Sequence, residues 1–253
     1  MNIFEKVQNY WTTKIIDMRP GKIRIHGKDI EDLIGKTSFT QMIWLMLRGT
    51  LPTIEEEKLF EATLVAAVDH GPQAPVIAVA RMAVSSGASL NNAMASAINI
   101  LGNIHGGVGE ECLELMQEAR KQSVEQIIKN YKGEYFPGFG HRFHTIVDPR
   151  VPRLMKLTEE AEEKKTIKGD FRSIGLELEK QLGRPMNIGG ASAVILGELG
   201  FEPPLTKGIF ALSRSVGVLA HAWEQMKQGE RIKGPTPPEF LWKYKGKNPY
   251  EDE

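Results

Sequence analysis

The chain has 253 residues, with 32 Lys and Arg balanced by 32 Asp and Glu, and 41% of its side chains are hydrophobic. That apolar fraction can fill a core and excludes a disordered chain, while the zero net charge supplies no field to gather nucleic acid or an anionic membrane. The longest unbroken apolar run, Met42 to Leu47, is six residues, far below the roughly 18 that suggest a bilayer span.

At the amino terminus, MNIFEKVQNYW carries acids and no apolar core of signal-peptide type. Lys22 to Ile25 alternates beside His26-Gly27 and predicts a small β ribbon, with no large sheet to follow. Ser38 with Gln41, Thr53 with Glu56 and Ser123 with Gln126 have capping-box spacing, which satisfies the backbone donors a helix start leaves unpaired. Asp148-Pro149 predicts a fourth start, the acid capping and the proline preset for the first turn. Phe60, Leu64, Ala67 and Val68 form one helical stripe. Ile209, Leu212, Val216, Leu219, Trp223 and Met226 step by three and four, predicting a deeply buried seam. Loops are expected at Gly71-Pro72, Gly106-Gly107, Pro137-Gly138, Gly189-Gly190 and Pro203-Pro204, leaving roughly ten helices. Gly234 to Glu253, rich in Pro, Lys and aromatics, reads as an arm lying on something. The lone cysteine, Cys112, falls on an amphipathic helix as a core residue and suits a reducing compartment. Cytoplasm is the expected location.

Candidate chemistry gathers on histidine and arginine. His105 precedes Gly106-Gly107 and a helix start near Gly109, where the backbone can approach a ligand and present amide donors; alone, it is equally a loop histidine capping a carbonyl. His141 ends the stiff turn Pro137-Gly138-Phe139-Gly140. Arg150 follows the Asp148 cap, where the helix dipole disfavours a cation, so it wants an anion: Asp148 itself or a substrate carboxylate. His70 sits at a helix end, where capping and ligand binding are both open readings. Arg214 lies in an otherwise apolar segment and shares a face with His221; a cation there needs a partner. His141 and His144 are too isolated in a loop to predict a zinc site, and no metal is expected. No Walker loop, dinucleotide fingerprint or G-x-S-x-G elbow is present.

Together these segments resemble the citrate synthase superfamily: Ile104-His105-Gly106-Gly107 with Glu110, Gly138-Phe139-Gly140-His141-Arg142 with Asp148-Pro149-Arg150, then Asn187-Ile188, then Ser213-Arg214 with Gly217, in order along most of the chain. In size the sequence is most similar to compact citryl-CoA lyases and to the lyase domain of ATP-citrate lyase. The resemblance implies an all-α, multi-helical fold with a minor amino-terminal β ribbon, one domain over residues 1–253 divided into a large and a small helical subdomain, the small one at about 109–205, and a homodimer or higher homo-oligomer. It makes His105 the donor to the enolate oxygen of the acetyl-CoA unit. His141 polarises the oxaloacetate carbonyl or, in cleavage, takes the citryl hydroxyl proton, and His70, Arg150 and Arg214 clamp carboxylates. Pro137, Gly138, Phe139 and Gly140 cradle the adenine end of coenzyme A.

The resemblance implies no tightly bound cofactor, a coenzyme A thioester and a dicarboxylate as ligands, and a separate citryl-CoA synthetase as a candidate partner. The family's catalytic aspartate is replaced by Gly189, which disfavours ordinary synthase turnover because losing a positioned acid or base costs about 100-fold or more. Near the end Gly234-Pro235 stands where the family has Arg-Pro, with Arg231 or Lys233 as substitutes. The expected activity is cleavage of citryl-CoA, or of a related 3-hydroxy-3-carboxyacyl-CoA, to acetyl-CoA and a 2-oxo acid. A condensing enzyme and a catalytically silent thioester-binding relative are the alternatives.

Overall fold

A computed structural model describes residues 3–246. Helix α1 (Ile3–Tyr10) precedes an antiparallel ribbon of β1 (Ile16–Arg19), β2 (Lys22–Ile25) and β3 (Lys28–Asp29), in that order, with Ile16 opposite Ile25 and Arg24 opposite Asp29. Eleven more helices follow: α2 (Ile30–Leu33), α3 (Phe39–Arg48), α4 (Ile54–Ala67), α5 (Pro75–Ser85), α6 (Leu90–Asn99), α7 (Val108–Ala119), α8 (Val124–Asn130), α9 (Arg150–Glu163), α10 (Asp170–Leu182), α11 (Ile188–Glu198) and α12 (Pro203–Gln228). The predicted helical class and the small ribbon are what the chain forms.

The capping signals work as their chemistry dictates. Ser38 and Thr53 each accept from the backbone three residues on, and Gln41 and Glu56 reach back to complete both boxes. Ser123 accepts from Gln126 N. Asp148 Oδ1 accepts from Arg150 N, starting α9 one residue later than the sequence suggests.

Two buried clusters organise the helices. In the larger, Phe60 and Phe201 stack at 5.3 Å and Trp44 meets both edge-on, above Leu113, Met116, Leu178, Ile195 and Leu196. Each such side chain contributes about 1.5–3 kcal/mol on burial. Helix α11 is apolar around most of its girth and packs against α4, α7, α9, α10 and α12, the central position such a pattern demands. The smaller cluster joins α5, α6 and α12 through Ala74, Ala80, Ala93, Ala97, Val218 and Ala222, residues small enough to let helices approach closely.

Two expectations fail here. The α12 seam is not buried: Ile209 is, but Val216 is 58% exposed and Leu212, Leu219, Trp223 and Met226 are also exposed. Its inner face is instead Ser213, Arg214, Gly217, Val218, Ala222 and Gln225, because a glycine and small side chains fit against α4 and α5 where large ones would not; a Cβ on Gly217 would overlap the Val68 carbonyl. Gly189-Gly190 and Pro203-Pro204 open helices α11 and α12 rather than forming loops, the prolines occupying first-turn positions that need no amide donor. Just before the carboxyl-terminal arm, the amides of Ile232 and Lys233 bond Ser85. Phe240, Leu241, Trp242 and Tyr244 are exposed, and residues 247–253 lie outside the described residues.

One close approach sets the geometry that follows. Gly138, at φ +85°, touches Gly190, and the two segments are stitched by Asn187 N to Gly138 O (2.9 Å), Gly140 N to Pro185 O (2.7 Å) and Asn187 Nδ2 to Gly140 O (2.7 Å). A Cβ on Gly138 would lie 2.6 Å from Cys112 Sγ and 2.9 Å from Gly190 Cα. Gly138→Ala is therefore expected to cost about 2 kcal/mol or more in urea unfolding. Adding Cys112→Ala should recover only part, since the contact with the Gly190 backbone remains.

Candidate active site

His105 sits on the tight loop joining α6 to α7. Gly102 N donates to the His105 carbonyl at 2.9 Å, and Gly106, at φ +94°, leaves no room for a Cβ between Leu101 and Phe210. The imidazole meets the first turn of α5, where Val76 N donates to Nε2 at 3.4 Å. A lone pair at Nε2 places the neutral ring's proton on Nδ1. Burial, then the Arg214 and Arg142 guanidiniums, hold its pKa below the usual histidine value, so the ring is neutral at neutral pH and donates a hydrogen bond without carrying charge.

His141 leaves the Gly138–Gly140 turn with its Nδ1 accepting from Phe143 N (3.0 Å) and His144 N (2.9 Å). The neutral ring therefore keeps its proton on Nε2, the nitrogen left for a ligand. His70 lies past the end of α4, its ring 5.2 Å from His141 and 6.1 Å from His144. Burial first, and neighbouring cations second, lower the pKa of both His70 and His141.

The loop carrying His70 is fixed by its neighbour. Asp69 Oδ2 accepts from Gly71 N at 3.0 Å and from His221 Nε2 at 3.3 Å, while His221 Nδ1 accepts from Arg81. Because arginine only donates, the proton of neutral His221 belongs on Nε2. His221, singled out for sharing a face with Arg214, thus holds a loop and does not reach the cleft.

The two arginines differ. Arg150 is engaged by Asp148 through Nε (2.9 Å) and Nη2 (2.7 Å) and by Ala66 O through Nη1 (3.2 Å), so two of its five N–H groups remain uncommitted. Asp148 is the partner the dipole argument asked for. Its carboxylate is buried and also accepts from Ile188 N, the first amide of α11 (3.2 Å). Burial pushes the Asp148 pKa up, but the Arg150 hydrogen bonds and charge outweigh it and leave the acid below its ordinary value. Arg214 is only 3% exposed, donates from Nε to Ala67 O at 2.9 Å and lies over the Phe210 ring at 4.8 Å. Among the described residues no carboxylate reaches it within ion-pair distance, and burial brings its pKa down to about 10.

These groups share one cleft of about 440 Å³, lined by His70, His105, His141, Arg142, Arg150 and Arg214 together with Asn187, Gly189, Ser192, Thr206 and an apolar wall including Ile104, Val108 and Phe210. No Asp or Glu is among its lining residues. Glu110 pairs with Lys207 at 2.7 Å and Glu111 accepts from the Tyr131 hydroxyl at 3.1 Å, so both carboxylates are engaged by other groups. Pro137, Gly138 and Phe139 are buried and, with Gly140, stand behind His141 without lining the cleft. Lys233 is paired with Glu230. Among the described residues no group of His, Cys, Asp or Glu is arranged to hold a metal ion, and no helix is long and apolar enough to cross a membrane. Sequence reasoning passed over Ser192, Thr206 and Phe210; helical spacing from Gly189 and Arg214 was the available signal for the first and last.

A family description, "Citrate synthase, C-terminal domain", matches residues 6–67 and 54–236. The chain belongs to the citrate synthase family. Within that family it is similar to the citryl-CoA lyase of Hydrogenobacter thermophilus, at 35% identity and a TM-score of 0.83 over 95% of this chain and 96% of that one. The ATP citrate lyase of Methanosaeta concilii, solved with (3S)-citryl-CoA, shares the fold at a TM-score of 0.82 and 19% identity, covering 97% of this chain and 45% of that one. The citrate/2-methylcitrate synthase of Bacillus subtilis is 30% identical over 198 residues, 74% of this chain and 52% of its own length. The citrate synthase of Heyndrickxia coagulans is 28% identical over 211 residues, 79% and 56% respectively. The chain thus spans about half the length of the curated relatives it matches.

Asp148→Asn would turn an amide donor toward the Arg150 and Ile188 donors and leave a partly buried cation without its counter-charge. We expect a loss of about 3–5 kcal/mol in denaturant unfolding at pH 7. Because the folded-state pKa of Asp148 is lowered, the wild-type advantage is full above the unfolded value of about 3.9 and disappears as pH falls through the folded value; the two unfolding curves should converge in acid.

Proposed function

We propose that this member of the citrate synthase family cleaves citryl-CoA, or a closely related 3-hydroxy-3-carboxyacyl-CoA, to acetyl-CoA and a 2-oxo acid. The observation that carries the reading is Arg214: a buried guanidinium with four N–H groups that meet no acceptor among the described residues, opening on a cleft whose lining residues include three imidazoles and no carboxylate. Such a cation demands an anion from outside the chain. The 35% identity to a citryl-CoA lyase over nearly the whole of both chains supports the cleaving direction.

Arg214 and the two free N–H groups of Arg150, with His70 beside them, grip the carboxylates of the citryl unit. His105 donates from Nδ1 to the thioester oxygen as negative charge develops there. The citryl hydroxyl proton passes to the His70 ring, while His141, with Nδ1 held by two backbone amides, donates its Nε2 hydrogen to the C3 oxygen. The division into large and small subdomains, with residues 109–205 as the smaller, belongs to the same reading, as does coenzyme A at the mouth of the cleft near Ile104 and the Pro137–Gly140 turn. A separate synthetase would supply the thioester. Condensation is the second reading, favoured by the names of the curated relatives; free thiol appearing from acetyl-CoA plus oxaloacetate would reveal it. Gly189 favours the third, a silent thioester binder.

Purified protein offered citryl-CoA should release oxaloacetate, and no release above background would sink the proposal. His105→Ala should lower kcat by about 100- to 1,000-fold, the usual cost of one oxyanion donor, with little change in thermal stability. The exposed apolar face of α12 and the exposed arm aromatics support assembly as a homodimer. Sedimentation equilibrium should give twice the chain mass, and a monomer mass at micromolar concentration would remove that part of the reading.

A further inference from the structure

Resting on that reading, we propose that the hydroxyl of Ser192 delivers the proton that the enolate carbon takes after carbon-carbon cleavage, filling the role left open by Gly189. Ser192 is three residues beyond Gly189 on α11, and positions three apart share a helix face. A helical side chain leans toward the amino terminus, so Ser192 covers the turn that contains Gly189. Both residues line the cleft.

The other protic groups there are spoken for. Thr206 donates its hydroxyl proton to Pro203 O at 2.7 Å, and the Asn187 amide donates to Gly140 O at 2.7 Å while its Oδ1 caps Gly189 N and Gly190 N. His105 serves the thioester oxygen, His141 the C3 oxygen and His70, as the base, the C3 proton, and the guanidinium groups keep their protons. Ser192 is half-buried, and its hydroxyl makes no hydrogen bond to the described residues. A helical serine ordinarily bonds back to the carbonyl four residues earlier; this one leaves its proton for the cleft.

The proton balance closes within the site. The O–H bond at C3 breaks and its proton goes to the His70 imidazole, His141 already carrying its proton on Nε2. The C2–C3 bond breaks, its electron pair becoming the thioester enolate while the C3 oxygen becomes the carbonyl of the 2-oxo acid. A new C–H bond forms at the enolate carbon with the Ser192 proton, and the serine oxygen is reprotonated from the imidazolium through cleft water. One proton leaves the substrate and one enters the product, and no further reactant is consumed.

The test compares wild-type protein, Ser192→Ala and Ser192→Cys. It measures citryl-CoA cleavage and, separately, exchange of the acetyl-CoA methyl hydrogens with deuterated water in the presence of oxaloacetate, which isolates the carbon-proton step. Removing the hydroxyl should lower kcat and exchange by about 100-fold with KM within about threefold, while the thiol, which keeps a transferable proton, should retain activity within about tenfold. Alanine turning over within threefold of wild type, or alanine and cysteine losing activity equally, would overturn the assignment of Ser192 and leave the lyase reading intact. Wild-type protein that neither cleaves citryl-CoA nor exchanges the methyl hydrogens would remove that reading, and this inference with it.

Discussion

The Asp148 carboxylate is the contact on which the arrangement of this cleft depends. Buried, it accepts from Arg150 twice through the side chain and once through the backbone, and from the first amide of α11. It thus fixes a cleft-lining guanidinium, the start of α9 and the start of α11 with one charge. Removing the acid from water is costly, and only a full set of charged and amide donors makes its burial tolerable. Those donors are the groups that must be held still for the cleft to have a shape.

The charge inside the cleft follows a single rule. Every titratable group whose pKa is shifted on its wall is an imidazole or guanidinium whose protonated form is disfavoured, His70, His105 and His141 by burial and then by neighbouring cations. Neutral imidazoles beside Arg150 and Arg214 make an environment that attracts carboxylates while sparing the site a dense cluster of positive charge. The acids close by are turned away: Asp148 to Arg150, Asp69 to His221 and Gly71, Glu110 to Lys207.

Much of this was legible in the chain, and the reasons differ by residue. Ser38-Gln41 and Thr53-Glu56 announce helices because capping chemistry is local. The convergence of His70, His105, His141, Arg150 and Arg214 was legible only through the family motifs, since no short-range rule joins residues so far apart in sequence. The buried face of α12 was misread because periodicity fixes a helix, while the choice between two stripes depended on small residues at Ser213, Gly217 and Ala222 fitting neighbours that the sequence does not show. Ser192 escaped notice for a similar reason: its importance lies in the space beside Gly189 and in a bond it does not make.

The contact of Gly138 with Gly190 has a mechanical consequence. Since these two backbones touch and are stitched by three hydrogen bonds, His141, Asn187, Gly189 and Ser192 move as one rigid body. Bringing His141 nearer to Ser192 would mean breaking those hydrogen bonds. The loops bearing His70 and His105 reach the cleft from the ends of α4 and α6, outside that unit.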